Sequence, residues 1–284
     1  MIDACSSLYS FAHITADRSN MLPRLCWVNE WRRPAGYGIV AGLLDTDFDQ
    51  RLPDLVGANL VLRDFSDSAQ RNTEISEHGT HSVTTLIGQG HQEIRGIAPK
   101  VKLLVAQVAG PDGIANPSAV MEGIAWLLSS GAQIVIIPLG DHHEHREIAE
   151  QIEQAAAHGV LFFAAAGNGY PAPLAFPARH PLAIAIGGAD NDGYLLAECS
   201  RLPRLDLVAP GWKIAAPIHN GVMSQRSGTS VATIVAAGAA ILVLSAITFP
   251  LDSSRRTTIL SILSGEISLW SPRSGQDVQY RSAD

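Results

Sequence analysis

Four short motifs in this chain of 284 residues each hold a side chain that could take part in acyl transfer. Asp45 ends the run GLLD, His78 lies in EHGTH, Asn168 follows FFAAAG and Ser230 lies in SGTS. A serine hydroxyl is a weak nucleophile until a histidine accepts its proton, and a carboxylate can orient that imidazole. An amide can donate a hydrogen bond to the oxyanion that forms on the attacked carbonyl. These residue types are therefore typical of cleavage through a serine.

Each of the four residues also has a structural interpretation when it is considered alone. Asp45 and Asn168 are of types that are common in turns, and Ser230 is of a type that often caps a helix. His78 could be a buried histidine or a helix cap. Their occurrence together favours the catalytic interpretation.

Apolar strand-like runs alternate with helical patterns along the chain. The predicted strands are YGIVAGLLD (37–45), VKLLVAQV (101–108), AQIVIIPLG (132–140), VLFFAAAGN (160–168), LAIAIGGAD (182–190) and LDLVAP (205–210). The predicted helices span 79–89, 117–131, 146–159 and 230–247. This alternation predicts an α/β fold, with a doubly wound, mainly parallel sheet and helices on both faces. Sites in such sheets form at the carboxyl ends of strands, where Asp45 and Asn168 are expected.

The apolar run at 231–247 has two interpretations. It has nearly the length of a membrane span, which needs roughly 20 residues. It is rich in alanine and glycine, and it lacks flanking aromatic residues and a cluster of basic residues. A helix buried inside a large soluble domain is the favoured interpretation.

The composition limits the classes of partner. Apolar residues make up 46% of the chain and charged residues 17%, which allows a large core. The net charge of −7 is spread along the chain, with no basic patch, so neither nucleic acid nor a membrane is expected as a partner. The N-terminus lacks the basic start and apolar core of a signal peptide, and we expect a cytoplasmic protein.

The three cysteines, Cys5, Cys26 and Cys199, lie far apart and form no CxxC pair. A zinc site of that type is therefore not predicted. The odd number suits a reducing compartment, while a bridge between Cys5 and Cys26 stays open.

Between Gly38 and Ser245 the chain resembles the subtilisin-like serine peptidases, on the motifs HGTH, AAGN and SGTS in that order. The resemblance implies a subtilisin-like fold and a catalytic triad of Asp45, His78 and Ser230. The N–H of Ser230 and the side chain of Asn168 would form the oxyanion hole. His81, the second histidine of HGTH, would be structural. We expect an N-terminal extension over 1–35 and a peptidase domain over 36–284.

The same resemblance implies that a peptide or protein substrate binds as an extended strand between two enzyme segments. The expected substrate-binding residues are Gly113, Ile114, Ala115, Pro138, Leu139, Gly140, Ala165, Ala166 and Gly167. The sequence sets neither the cleavage motif nor the oligomeric state.

Three residues depart from the family pattern. Pro138 replaces a serine and so lacks a hydroxyl and an N–H. Asp47 replaces the glycine of the usual DTG and adds a negative charge near the triad. Ile234 replaces a proline that is expected in the first turn of the nucleophile's helix.

No cofactor is expected, although subtilases often bind structural calcium and the sequence does not settle that point. The run DHHEHRE (141–147) could suggest a metal site, but a solvated loop beside the substrate cleft is favoured.

A narrower resemblance, to the cyanobactin-type maturation peptidases, suggests an intracellular endopeptidase that processes a ribosomal precursor peptide. The alternatives are a general intracellular turnover protease and an inactive subtilase fold that only binds peptides.

Overall fold

A sheet of seven parallel strands forms the centre of the protein. The computed structural model describes residues 35–66, 76–91, 95–249 and 251–265. The strands in these ranges are β1 (Val40–Asp45), β2 (Leu60–Asp64), β3 (Lys102–Gln107), β4 (Ile134–Ile137), β5 (Leu161–Ala165), β6 (Ala183–Ala189), β7 (Leu207–Pro210), β8 (Ile214–Pro217) and β9 (Met223–Arg226). The α-helices are α1 (Glu77–Ile87), α2 (Pro117–Ser129), α3 (Arg146–Ala157), α4 (Thr229–Ala246) and α5 (Ser254–Leu263).

The order of the strands in the sheet is β2-β3-β1-β4-β5-β6-β7, and β8 and β9 form a separate antiparallel hairpin. After β1 the chain crosses to the edge of the sheet, returns through β3, and then continues on the opposite side of β1. The direction of winding therefore reverses beside β1, and in open parallel sheets a crevice forms at such a point. Asp45, the last residue of β1, lies there.

Both faces of the sheet are buried. Along β4, Ile134 and Ile136 belong to one core layer, and Val135 and Ile137 belong to the other. The first layer includes residues of α1, α4 and α5, and the second includes residues of α2 and α3. Strands buried on both faces are continuous apolar runs, and this explains why they were identifiable in the sequence. The predicted doubly wound α/β fold is confirmed.

Helix α4 lies in the first core layer and packs on β4, β5, β6 and β7. It is the one described helix with the length and hydropathy of a membrane span, and 83% of its 18-residue window is buried inside the protein. A Cβ added to Gly238 would lie 2.7 Å from Cγ2 of Ile97, so the small residue permits close packing. The apolar composition of α4 is that of a central core helix.

The structure contains elements that the sequence did not predict, namely β2, the β8–β9 hairpin and α5. Strand β2 is at the edge of the sheet and largely exposed, while β8 and β9 have four residues each. Cys199 is buried and in no disulfide, whereas Cys5 and Cys26 lie outside the described residues. The proposed extension over 1–35 also falls almost wholly outside them, so that domain division stays a prediction.

Helix α1 begins very close to the loop that follows β1. A Cβ added to Gly79 would lie 2.8 Å from the backbone oxygen of Thr46 and closer still to that of Asp47. Both atoms belong to the backbone and cannot rotate away. Glycine at this position therefore allows the first turn of α1, which carries His78, to pack against the end of β1.

We predict that Gly79→Ala lowers kcat/KM about 10²-fold, because α1 must move and misplacement of a catalytic group by about 1 Å has that effect. Steady-state kinetics with a cleavable peptide measures the change. Gly123→Ala in α2 is the control, since its Cβ would contact Val108 and Ala106 on the other face of the sheet. An equal loss of activity in both variants would contradict this role of Gly79.

Candidate active site

The carboxylate of Asp45 and the imidazole of His78 are in direct contact. Nδ1 of His78 lies 2.6 Å from Oδ1 of Asp45, and the Asp45 side chain is 0% exposed. The backbone N–H of Thr46 donates to the same oxygen at 2.7 Å. A carboxylate can only accept, so Nδ1 of His78 carries the hydrogen. Nε2 is therefore left as the basic nitrogen of the neutral ring.

Asp47, one of the three departures from the family pattern, holds the N-terminus of α1. Its Oδ1 accepts the N–H of Ser76 at 2.9 Å, and Ser76 is the N-cap whose hydroxyl accepts the N–H of His78 at 3.2 Å. Burial raises the pKa of Asp47, and the negative charges of Asp64 and Asp45 act in the same direction. The aspartate that stands in place of the glycine therefore makes a structural contact with the N-cap of α1.

Opposing charges act on the pKa of His78. The negative charge of Asp45 is the largest cause and raises this pKa above its usual value of 6.5, whereas burial and the positive charge of Arg226 lower it. His81 differs, since burial lowers its pKa to about 4. Nε2 of His81 donates to the backbone oxygen of Ile214 at 2.8 Å. His81 is therefore neutral at pH 7 and ties α1 to β8.

Ser230 lies in the first turn of α4 and is half-buried. The N-cap, Gly228, has φ 132° and ψ 176°, a region open essentially to glycine alone. The first N–H groups of a helix lack partners within the helix, and the helix dipole is positive at this end. The N–H of Ser230 is therefore available to an oxyanion that forms beside its own hydroxyl.

Asn168 is held beside the start of α4. Its Oδ1 accepts the N–H of Thr229 at 3.0 Å, and the hydroxyl of Thr229 accepts the N–H of Gly167 at 3.1 Å. A Cβ added to Gly228 would lie 3.1 Å from Nδ2 of Asn168. This hydrogen bond to Oδ1 fixes the amide at the start of the helix, and the Nδ2 group is the donor that remains for a substrate.

One cavity of about 490 Å³ is lined by His78, Asn168 and Ser230 together. Pro138, Leu139, Gly140, Ala165 and Gly167 also line it. Within the described ranges no hydrogen bond joins Ser230 to His78, and in unliganded enzymes such bonds often form only when substrate is present. The arrangement can supply a nucleophile, a base and two oxyanion donors to one bound carbonyl.

A second cavity of about 250 Å³ adjoins the first, and Leu139 and Gly140 line both. Gly113, Ile114 and Ala115 line the second cavity as well. The two segments predicted to hold an extended peptide therefore line one cavity beside the catalytic residues. A Cβ at Gly140 would lie 2.7 Å from that of Ala175, so the residue at this wall must be small.

The structure differs from the sequence-based prediction at Ala166 and at Ile234. Ala166 is 0% exposed, belongs to the second core layer and lines neither cavity. Ile234 is the sixth residue of α4, not a first-turn residue, and it is 1% exposed in the first core layer. Side chains alternate along an extended segment, so Ala165 and Gly167 contact the cavity while Ala166 points into the core.

The histidine-rich loop after β4 is held by Asp141. Nε2 of His145 lies 2.8 Å and Nδ1 of His143 lies 3.3 Å from its carboxylate oxygens. The hydrogen bond with His145 is the largest cause that lowers the pKa of Asp141. No group of three or more possible metal ligands occurs in the part of the chain that the structure describes. The loop borders both cavities through His142 and His145.

Comparison with known proteins identifies the family. The pattern of the Subtilase family (Peptidase_S8) matches residues 36–262. The chain belongs to this family. Subtilisin BL of Lederbergia lenta is 30% identical over 212 residues, which cover 73% of this chain and 77% of that protein. Subtilases are serine endopeptidases, and so is this protein.

Two further relatives show the range of the family around this subtilase. An intracellular serine protease of Paenibacillus polymyxa is 29% identical over 223 residues, covering 75% of this chain and 68% of that protein. The solved structure of the patellamide maturation protease PatA has a TM-score of 0.69 at 25% identity, covering 84% of this chain and 90% of that chain.

The sequence-based reasoning missed two residues of the subtilase cleft. Arg226 lines the catalytic cavity, and Thr229 fixes the side chain of Asn168. Both stand in RSGTS beside the predicted nucleophile. Their position in this motif was the only indication in the sequence, because the residues that Arg226 and Thr229 contact are far away along the chain.

We predict that kcat/KM falls on the acid side with a midpoint above about 6.5, because protonated His78 cannot act as a base and Asp45 raises its pKa. Arg226→Gln should move this limb to higher pH, since it removes a positive charge that disfavours the imidazolium. Profiles of kcat/KM against pH measure both effects. Lys213→Gln, which changes an exposed cation outside the cavity, is the control. A profile that is flat down to about pH 4 would exclude a histidine base.

Proposed function

We propose that this subtilase acts in the cytoplasm and cuts a ribosomally made precursor peptide at a defined site. The main observation that supports cleavage at a defined site is the cleft, in which one cavity is lined by the catalytic residues and the adjoining one by Gly113–Ala115. A peptide that spans both cavities is selected at more than one residue. The likeness to PatA, which is named a patellamide maturation protease, and to an intracellular serine protease supports this choice.

The proposed reaction proceeds through an acyl-enzyme. Oγ of Ser230 attacks the carbonyl carbon of the scissile bond, and Nε2 of His78 takes its proton. The oxyanion accepts hydrogen bonds from Asn168 and from the N–H of Ser230. His78 then gives the proton to the leaving amine as the C–N bond breaks, and water releases the acyl group by the same route. Asp45 keeps its charge throughout and stabilises the imidazolium.

We predict that Asn168→Ala lowers kcat with little change in KM, because the donated hydrogen bond strengthens only as the oxyanion forms. In subtilisin, removal of the asparagine donor lowers kcat about 10²–10³-fold, and we expect a loss of that order. Asn168→Asp is the matched control, since it keeps an acceptor for the N–H of Thr229 but has no N–H to donate. Near-normal kcat in Asn168→Asp would mean that Asn168 acts only by holding the helix.

The substrate class is tested by mass spectrometry of two digests. We expect a precursor peptide encoded beside the gene to be cut at one bond by the wild type and left intact by Ser230→Ala. Casein should be cut slowly, if at all, under the same conditions. Rapid cutting of casein at many sites, with no preference for the precursor, would favour a general turnover protease. Folding of Ser230→Ala is checked by its melting temperature, which should stay close to that of the wild type.

A further inference from the structure

One cationic side chain, that of Arg226, lines the catalytic cavity, while the carboxylate of Asp45 lies buried behind His78 and does not line it. Arg226 lines it together with His78 and His142, and within the described ranges no Asp or Glu side chain lines it. Because opposite charges attract more strongly where water is partly excluded, such a cavity favours a substrate with an anionic group.

The guanidinium of Arg226 is available for a substrate. Its contact with Glu77 joins Nη1 and Oε2 at 3.5 Å, and the side chains are 34% and 48% exposed. An ion pair that is this long and exposed contributes little. Arginine has five N–H donors, and only one of them is engaged among the contacts in the described part of the chain. The planar group can therefore bind a carboxylate through two parallel hydrogen bonds.

The position of Arg226 tells which side of the scissile bond it contacts. His78 must lie beside the leaving amine, because it protonates that nitrogen. Arg226 reaches towards Glu77, the neighbour of His78, and its charge acts on the His78 ring. Pro138 and Ala165, which also line the cavity, stand at the ends of the neighbouring strands β4 and β5, and Asn168 follows Ala165 by three residues.

We propose that Arg226 is a specificity-determining residue that binds an acidic side chain of the substrate just after the scissile bond. The inference rests on the proposed endopeptidase function and specifies which peptides that cleft accepts. The carboxylate of Asp or Glu matches the planar guanidinium in charge and shape, so Arg226 alone can recognise it.

The test uses a synthetic peptide mixture randomised at the two positions that follow the cleaved bond, with products identified by mass spectrometry. For the wild type we expect Glu and Asp to be preferred over Gln and Asn about tenfold, a typical value for one charge-assisted hydrogen-bonded pair. Arg226→Gln should lose the preference, Arg226→Glu should favour Lys instead, and Arg226→Lys should keep part of it. Glu77→Gln should strengthen it, because the competing carboxylate is gone.

Lys213→Gln is the matched control, since Lys213 directly precedes Ile214, the β8 residue that pairs with Arg226, packs over Trp212 and does not line the cavity. Its preference should equal that of the wild type. The inference would be overturned if the wild type showed no preference for acidic residues, or if Arg226→Glu kept that preference. Neither outcome would contradict the proposed endopeptidase function. A wild type that reacts with a fluorophosphonate probe but cuts no peptide would overturn the proposed function as well.

Discussion

The active site depends on one buried charge, the carboxylate of Asp45. An ion removed from water loses several kcal/mol of solvation free energy unless hydrogen bonds compensate for it. Asp45 is 0% exposed at the end of a strand with neighbours on both sides, and Thr46 and His78 supply its hydrogen bonds through Oδ1. Since the carboxylate requires these partners, it fixes where α1 and its imidazole lie.

Small residues then set the distances between the elements. Gly79 lets α1 approach the loop after β1, and Gly228 lets the start of α4 approach Asn168. The side-chain amide of Asn168, the proposed oxyanion donor, also accepts the N–H of Thr229, so this amide and the helix that carries Ser230 are one hydrogen-bonded unit. His78 and Asn168 are thus held by contacts within the protein that need no substrate, which is the condition for electrostatic preorganisation.

Much of the fold could be predicted because the central strands are continuous apolar runs and the helices between them end at glycines. The predicted triad residues and Asn168 each stand in a short motif beside such a run, and the structure places His78 against Asp45 and places His78, Asn168 and Ser230 around one cavity. Other features depend on contacts that local sequence does not contain. Arg226 and Glu77 are 149 residues apart, and their proximity follows from how the β8–β9 hairpin packs on α1. Ala166 was predicted to bind substrate but is buried in the core, because the motif AAAGN marks the segment after β5 and not the direction of each side chain.

The most direct measurement is the location of covalent modification by a fluorophosphonate, read by mass spectrometry of the digested protein. The account predicts a single adduct on Ser230, formed rapidly at pH 8 and far more slowly in Asp45→Asn, whose imidazole is no longer oriented and stabilised by a charge. An adduct on another serine, such as Ser200 or Ser227 of the same cavity, would contradict it. Equal labelling rates in the wild type and Asp45→Asn would also contradict the central role of the buried carboxylate.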